Sequence, residues 1–228
     1  GYTAVVYVQE KVDNKHIRKL DSVHSAGTYM SYDTENQEKL TNNIACIWID
    51  AHKPVLQNKG LVNNVSKTRE NIICGVAIAN IFTGTSYISE FQQPLSIQPS
   101  TFDELERIIA THSPSEIVFI SPFVQEDTQS VLQYSGTNTN SIHIIDSNTS
   151  EKVDKCTQQK YISFILGKFY GEDAHNTCVE FNLYPTATQA FCFLLDFVQE
   201  HNPNLVKNIS IPIFHTNSEV LLSIICIE

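Results

Sequence analysis

The chain has 228 residues, 42% of them hydrophobic, and a formal net charge of −10. That length and composition supply a substantial core, and no run of about 18 apolar residues is present to span a membrane. The acidic balance argues against a dedicated nucleic-acid-binding domain, which would ordinarily be basic. The imbalance is uneven. Residues 1–30 carry Lys11, Lys15, Arg18 and Lys19 against Glu10, Asp13 and Asp21, a net of +1, whereas the rest of the chain carries −11.

TAVVYVQEKV is β-branched and aromatic and reads as a strand, followed by a DNKH turn and a second extended segment, HIRKLDSVHSAGTY, closed by Gly27. Together they predict a hairpin at residues 1–30, the edge of a preceding domain, and the chain is expected to be a piece of a longer protein. Residues 31–43 are polar and read as a linker. IACIWID (44–50) is a continuous apolar run, the pattern of a central strand buried on both faces. Residues 51–70 carry Pro54 and Gly60 and are expected to form a surface insertion.

NIICGVAIAN and TSYISEF predict two strands joined at Thr83 and Gly84, where glycine supplies the positive φ of a tight turn. The next segment predicts a helix capped by Ser100 or Thr101. Asp103 and Glu104 suit its positive end, and Phe102, Leu105, Ile108 and Ile109 form an apolar stripe. EIVFIS (116–121) reads as a buried strand, 122–141 as a polar segment and IHIID (142–146) as a short strand. A single helix is expected over 153–171 and a strong one over 184–201, with Pro185 near its start and Pro203 just past its end. NISIPIF (208–214) reads as extended, and 218–228 as a strand. Three strands, then helix, strand, strand and two helices make an α/β fold: a ribonuclease-H-like mixed sheet flanked by helices, preceded by a β-hairpin.

Residues of catalytic type are few and dispersed. A nuclease on such a sheet would gather carboxylates at neighbouring strand ends around two metal ions. Asp50 ends its strand suitably, but Asn80 and the Ser121-Pro122 step provide no companions. No G-x-x-x-x-G-K-[ST] loop occurs, so no nucleoside triphosphate site is expected within the chain. His24, His112 and His143 lack ligand spacing, and no G-x-S-x-G elbow is present. The six cysteines, Cys46, Cys74, Cys156, Cys178, Cys192 and Cys226, form no C-x-x-C pair and mostly sit in apolar runs. They read as free thiols of a reducing, intracellular compartment. The Asn64, Asn148 and Asn208 sequons are expected to be unused. No catalytic, cofactor or metal residue is assigned. Lys11, Lys15, Arg18 and Lys19 are candidates for DNA-backbone contact, with a solvated hairpin tip as the plainer reading.

The residues themselves resemble the connector domain of the DNA mismatch-repair protein MutS. Gly75, Ala77, Thr83 and Gly84 match the glycine, the alanine and the Thr-Gly of that family's second strand pair. Ser113, Pro114, Ser115 and Glu116 match its N-P-x-E phrase, with serine in place of asparagine. The hairpin resembles the close of the MutS mismatch-binding domain, whose (S/T)-P-G-T phrase reads here Ser25-Ala26-Gly27-Thr28, without the proline. The insertion at 51–70 and the asparagine-rich composition look closer to the MutS branch of giant viruses and octocoral mitochondria.

The resemblance implies four parts. Residues 1–30 would be the hairpin of a mismatch-binding domain, 31–43 a linker, 44–216 a connector and 217–228 the start of the next segment. It implies a module that is not itself catalytic and a hinge near Gly27, Thr28, Ser31 and Asn42. For the longer protein it implies ATP and Mg, mismatched duplex DNA, a MutL-like repair partner and a homodimer, with no membrane. The alternatives are a divergent ribonuclease-H-like metal-dependent nuclease and a viral interaction domain that shares the fold.

Overall fold

A computed structural model describes residues 3–12, 15–28, 43–52 and 71–215. The strands β1 (Ala4–Val12) and β2 (Lys15–His24) form the predicted antiparallel hairpin, with a bulge at Val6 and Tyr7. The main body is a six-stranded sheet. Its strands are β3 (Asn43–His52), β4 (Asn71–Asn80), β5 (Ser86–Pro94), β6 (Glu116–Ser121), β7 (Ile142–Asp146) and β8 (Ile213–Phe214), in the spatial order β7-β6-β3-β4-β5-β8. The meander β3-β4-β5 is antiparallel, while β6 runs parallel to β3, β7 to β6 and β8 to β5. This is the ribonuclease-H-like arrangement, extended at one edge by β8.

The continuous apolar run in β3 has a direct cause. Cys46 and Trp48 face one core, built with helix α7 (Pro185–His201), and Ala45, Ile47 and Ile49 face the other, built with α1 (Asp103–His112) and α2 (Gln125–Tyr134). A strand covered on both sides has no polar face to show.

Three local expectations are corrected. Neither Ser100 nor Thr101 caps α1. A 3-10 turn at Pro99–Thr101 leads into it, and the Phe102 N–H donates to the Pro99 carbonyl at 2.8 Å. Three acidic residues in the first turn, Asp103, Glu104 and Glu106, complement the helix dipole. The polar segment 122–141 contains helix α2, whose buried residues are Thr128 and Val131. The helix expected over 153–171 is two, α3 (Glu151–Thr157) and α4 (Gln159–Tyr170), broken at an extended Gln158. In one uninterrupted helix, at about 100° per residue, Ile162, Ile165 and Leu166 would point away from Val153 and Cys156. The break rotates the second apolar face so that all five are buried.

The short helices α5 (Ala174–Thr177), α6 (Glu180–Leu183) and α8 (Pro203–Val206) complete the α7 face. Of the extended segment 208–214, only Ile213–Phe214 pairs as a strand. The insertion at 51–70 is entered from β3, which runs on to His52, and left at Asn71, its register partner. Residues 53–70 and the expected strand at 218–228 lie outside the described residues. Among the described residues no helix is long and apolar enough to cross a membrane.

Candidate functional site

The turn that follows the hairpin meets the sheet at a carboxylate. As β2 ends, the chain makes a turn closed by the Thr28 N–H to the Ser25 carbonyl at 3.2 Å. The Ser25 N–H donates to Thr28 Oγ1 at 2.8 Å, and the two hydroxyls lie 2.9 Å apart. Glu116, the first residue of β6, is fully buried and pairs in register with Ile44. Its Oε2 accepts from the Ser25 hydroxyl at 2.5 Å and from the Gly27 N–H at 2.9 Å. Its Oε1 lies 2.7 Å from His143 Nε2 on β7. Since the Ser25 proton goes to the carboxylate, the Thr28 hydroxyl donates to Ser25 Oγ.

The electrostatics of the carboxylate follow from this. Burial pushes its pKa up, but hydrogen bonds from His143, Ser25 and Gly27, with the charge His143 can carry, outweigh burial and hold it below the ordinary carboxylate value. Gly27 is required for space. A Cβ there would stand 2.4 Å from Ile44 Cγ1 and 2.8 Å from Glu116 Oε2. Beyond His143 the contacts continue into α7: its ring centroid is 5.3 Å from that of Phe197, and Phe197 is 4.2 Å from His201.

The two phrases Ser25-Ala26-Gly27-Thr28 and Ser113-Pro114-Ser115-Glu116 are thus brought together across 91 residues of sequence. Sequence reasoning singled out both as patterns but gave Ser25, Glu116 and His143 no role. The available signal was an acidic residue opening an otherwise apolar strand, since a buried carboxylate must find donors.

The other expected site residues are scattered. The pairing register places Lys11 and Arg18 on one face of the hairpin and Lys15 and Lys19 on the other, so they form no single patch. Lys19 Nζ stands 3.9 Å from Glu10. Gly27 and Thr28 are buried in the junction, while Ser31 and Asn42 lie outside the described residues.

Asp50 lies beside Ile73 of β4, beyond the last β3–β6 pair, Trp48 with Ile120. At the end of β6 stands the buried Ser121, 3.5 Å from the Thr128 hydroxyl. Among the described residues no three His, Cys, Asp or Glu side chains converge to hold a metal ion. The sequence contains no G-x-x-x-x-G-K-[ST] phosphate-binding loop. His112 packs against Tyr87 and His215, at 4.9 and 6.3 Å between centroids, and burial followed by His215 lowers its pKa. Cys46, Cys74, Cys156 and Cys192 are buried free thiols, and Cys178 is a half-buried one.

The glycine pattern on β4 and its turn also has a structural cause. Gly75 lies under the first turn of α7, where a Cβ would meet Ala187 N and Thr186 C at 2.4 Å. Its register partner Glu90 accepts from the Ala187 N–H at 2.9 Å, holding the helix terminus. Gly84 has φ +73°, and its carbonyl accepts from the Ser210 N–H at 2.7 Å. Ala77 is fully buried, and the Thr83 hydroxyl lies 2.7 Å from that of Thr85.

No protein-family model matches the chain. It is similar to a protein of Acanthamoeba polyphaga mimivirus named as a homolog of the DNA mismatch repair protein mutS. The two are 26% identical over 251 aligned residues, which take in 100% of this chain and 21% of the relative. The chain therefore spans about a fifth of the length of that relative. At this level the similarity supports a MutS-like relationship for the chain.

Proposed function

We infer that the chain is the connector region of a MutS-like mismatch-repair protein, with the closing hairpin of its mismatch-binding domain attached. The observation that carries this reading is that the mutS-homolog similarity runs the whole length of the chain. The ribonuclease-H-like strand order and the contact between the two MutS-like phrases at Glu116 support it.

In this reading residues 1–30 belong to the mismatch-binding domain, 44–216 are the connector and 217–228 begin the next segment. The connector's task is mechanical. It joins mismatched-DNA engagement to an ATPase elsewhere in the longer protein and offers a surface to a MutL-like partner. The longer protein binds ATP and Mg and works as a homodimer. A sheet covered on both faces is a suitable rigid body, and residues 31–43, entered through Gly27 and Thr28, are the hinge. The hairpin leaves Val5, Tyr7, Ile17 and Leu20 at least 45% exposed. A two-stranded ribbon with such faces is marginal alone and would be covered by the remainder of its domain.

The purified chain should hydrolyse no ATP and should bind mismatched duplex no better than matched duplex. ATP hydrolysis that stays with the chain through successive purification steps would overturn the reading.

A further inference from the structure

We propose that Glu116 is a positioning residue, a latch that holds the base of the hairpin to the sheet so that the two turn as one body. Its use as a coupling element rests on the connector reading; the latch itself rests on geometry.

Four observations converge. The carboxylate is fully buried, so it can persist there only with donors around it. Two of those donors, the Ser25 hydroxyl and the Gly27 N–H, belong to the hairpin's exit turn, whereas His143 Nε2 belongs to the sheet. Gly27 sits directly against Ile44 of β3, with no room for a side chain. Gly27 and Ile44 flank residues 28–43 in sequence, so the chain on either side of that stretch is already in contact. The hairpin can swing only if Ser25 and Gly27 leave Glu116, and that step strands a buried carboxylate. Opening is therefore disfavoured by the cost of leaving that carboxylate without its donors. His143, against Phe197, ties the closed state to the end of α7.

The experiment is nuclear magnetic resonance on the 228-residue chain, reading residual dipolar couplings and the exchange rate of the Gly27 amide. In the wild type one alignment tensor should fit hairpin and sheet together. Ser25→Ala removes a donor to a buried charge and should speed Gly27 exchange by roughly tenfold or more. The hairpin should then need its own tensor, with the sheet's couplings unchanged. Glu116→Ala should do the same. Glu116→Gln, whose amide can accept from Ser25 and Gly27 and donate to a neutral His143, should keep the single tensor.

If Glu116→Ala does not fold, Ser25→Ala decides alone, because its side chain lies on the hairpin side of the contact. Separate tensors in the wild type, or Gly27 exchange within twofold of wild type in Ser25→Ala, would overturn the latch. Neither DNA nor ATP enters the measurement, so its failure leaves the connector reading standing, and ATP hydrolysis by the chain would leave the latch standing.

Discussion

Gly75→Ala is the substitution whose cost is best worked out from the structure. The new Cβ would fall 2.4 Å from Ala187 N and Thr186 C and 2.6 Å from the Thr186 carbonyl oxygen. These are backbone atoms of a helix start and have no rotamer to change. Restoring ordinary contact at about 3.5 Å means that the first turn of α7 must retreat by about 1 Å. Ala187 and Ala190, both fully buried, show that the helix already sits as close as small residues allow.

The same retreat stretches the 2.9 Å bond from the Ala187 N–H to Glu90 beyond hydrogen-bond range. Overpacking costs about 1–3 kcal/mol and a lost bond to a charged group about 1.5–3 kcal/mol. The expected loss is about 3–5 kcal/mol, a large share of the stability of a typical domain. Urea unfolding followed by circular dichroism measures it. In a Glu90→Ala background the same substitution should cost less, because the stretched bond is already gone. A loss under about 1 kcal/mol, or equal losses in both backgrounds, would refute the argument.

Other outcomes follow from the same geometry. At Gly84, with φ +73° and a Cβ position 2.1 Å from the Asn208 carbonyl oxygen, alanine should free the segment that β8 ends. Faster amide exchange at Ser210 would show it, and an unchanged Ser210 would refute it. Because the folded pKa of Glu116 lies below its unfolded value, its contribution to stability is complete above an ordinary carboxylate pKa of about 4.3 and is lost as pH falls through the folded value. The stability difference between wild type and Glu116→Gln should therefore shrink on acidification; a difference that grows below about pH 4 contradicts the assignment. Burial pushes the Cys46 and Cys192 thiols well up and Cys156 to about 12. Alkylation in the folded chain should be far slower at these three than in urea, and equal rates at any of them would contradict their burial.

Much of the fold is legible in the sequence, and the exceptions have physical causes. IACIWID announces a central strand because both its faces are covered. The helix at 125–134 hides because only Thr128 and Val131 are fully buried and one of the two is polar, too little to raise an apolar stripe. The break at Gln158 is invisible to composition. It shows only when the helical phase of Val153 and Cys156 is compared with that of Ile162 and Leu166. The site is half legible. Both phrases stand out as patterns, but their meeting depends on β6 lying beside β3, which local sequence does not specify. The division of Lys11 and Arg18 from Lys15 and Lys19 likewise depends on pairing register, not on proximity in the chain.

In the proposed reading, mismatched-DNA engagement reaches a distant ATPase through this junction. The most direct measurement is ATP hydrolysis by the longer protein with mismatched and with matched duplex, comparing wild type with Ser25→Ala. Basal hydrolysis should persist in the variant while most of the mismatch-dependent stimulation is lost. Stimulation equal to wild type would contradict it.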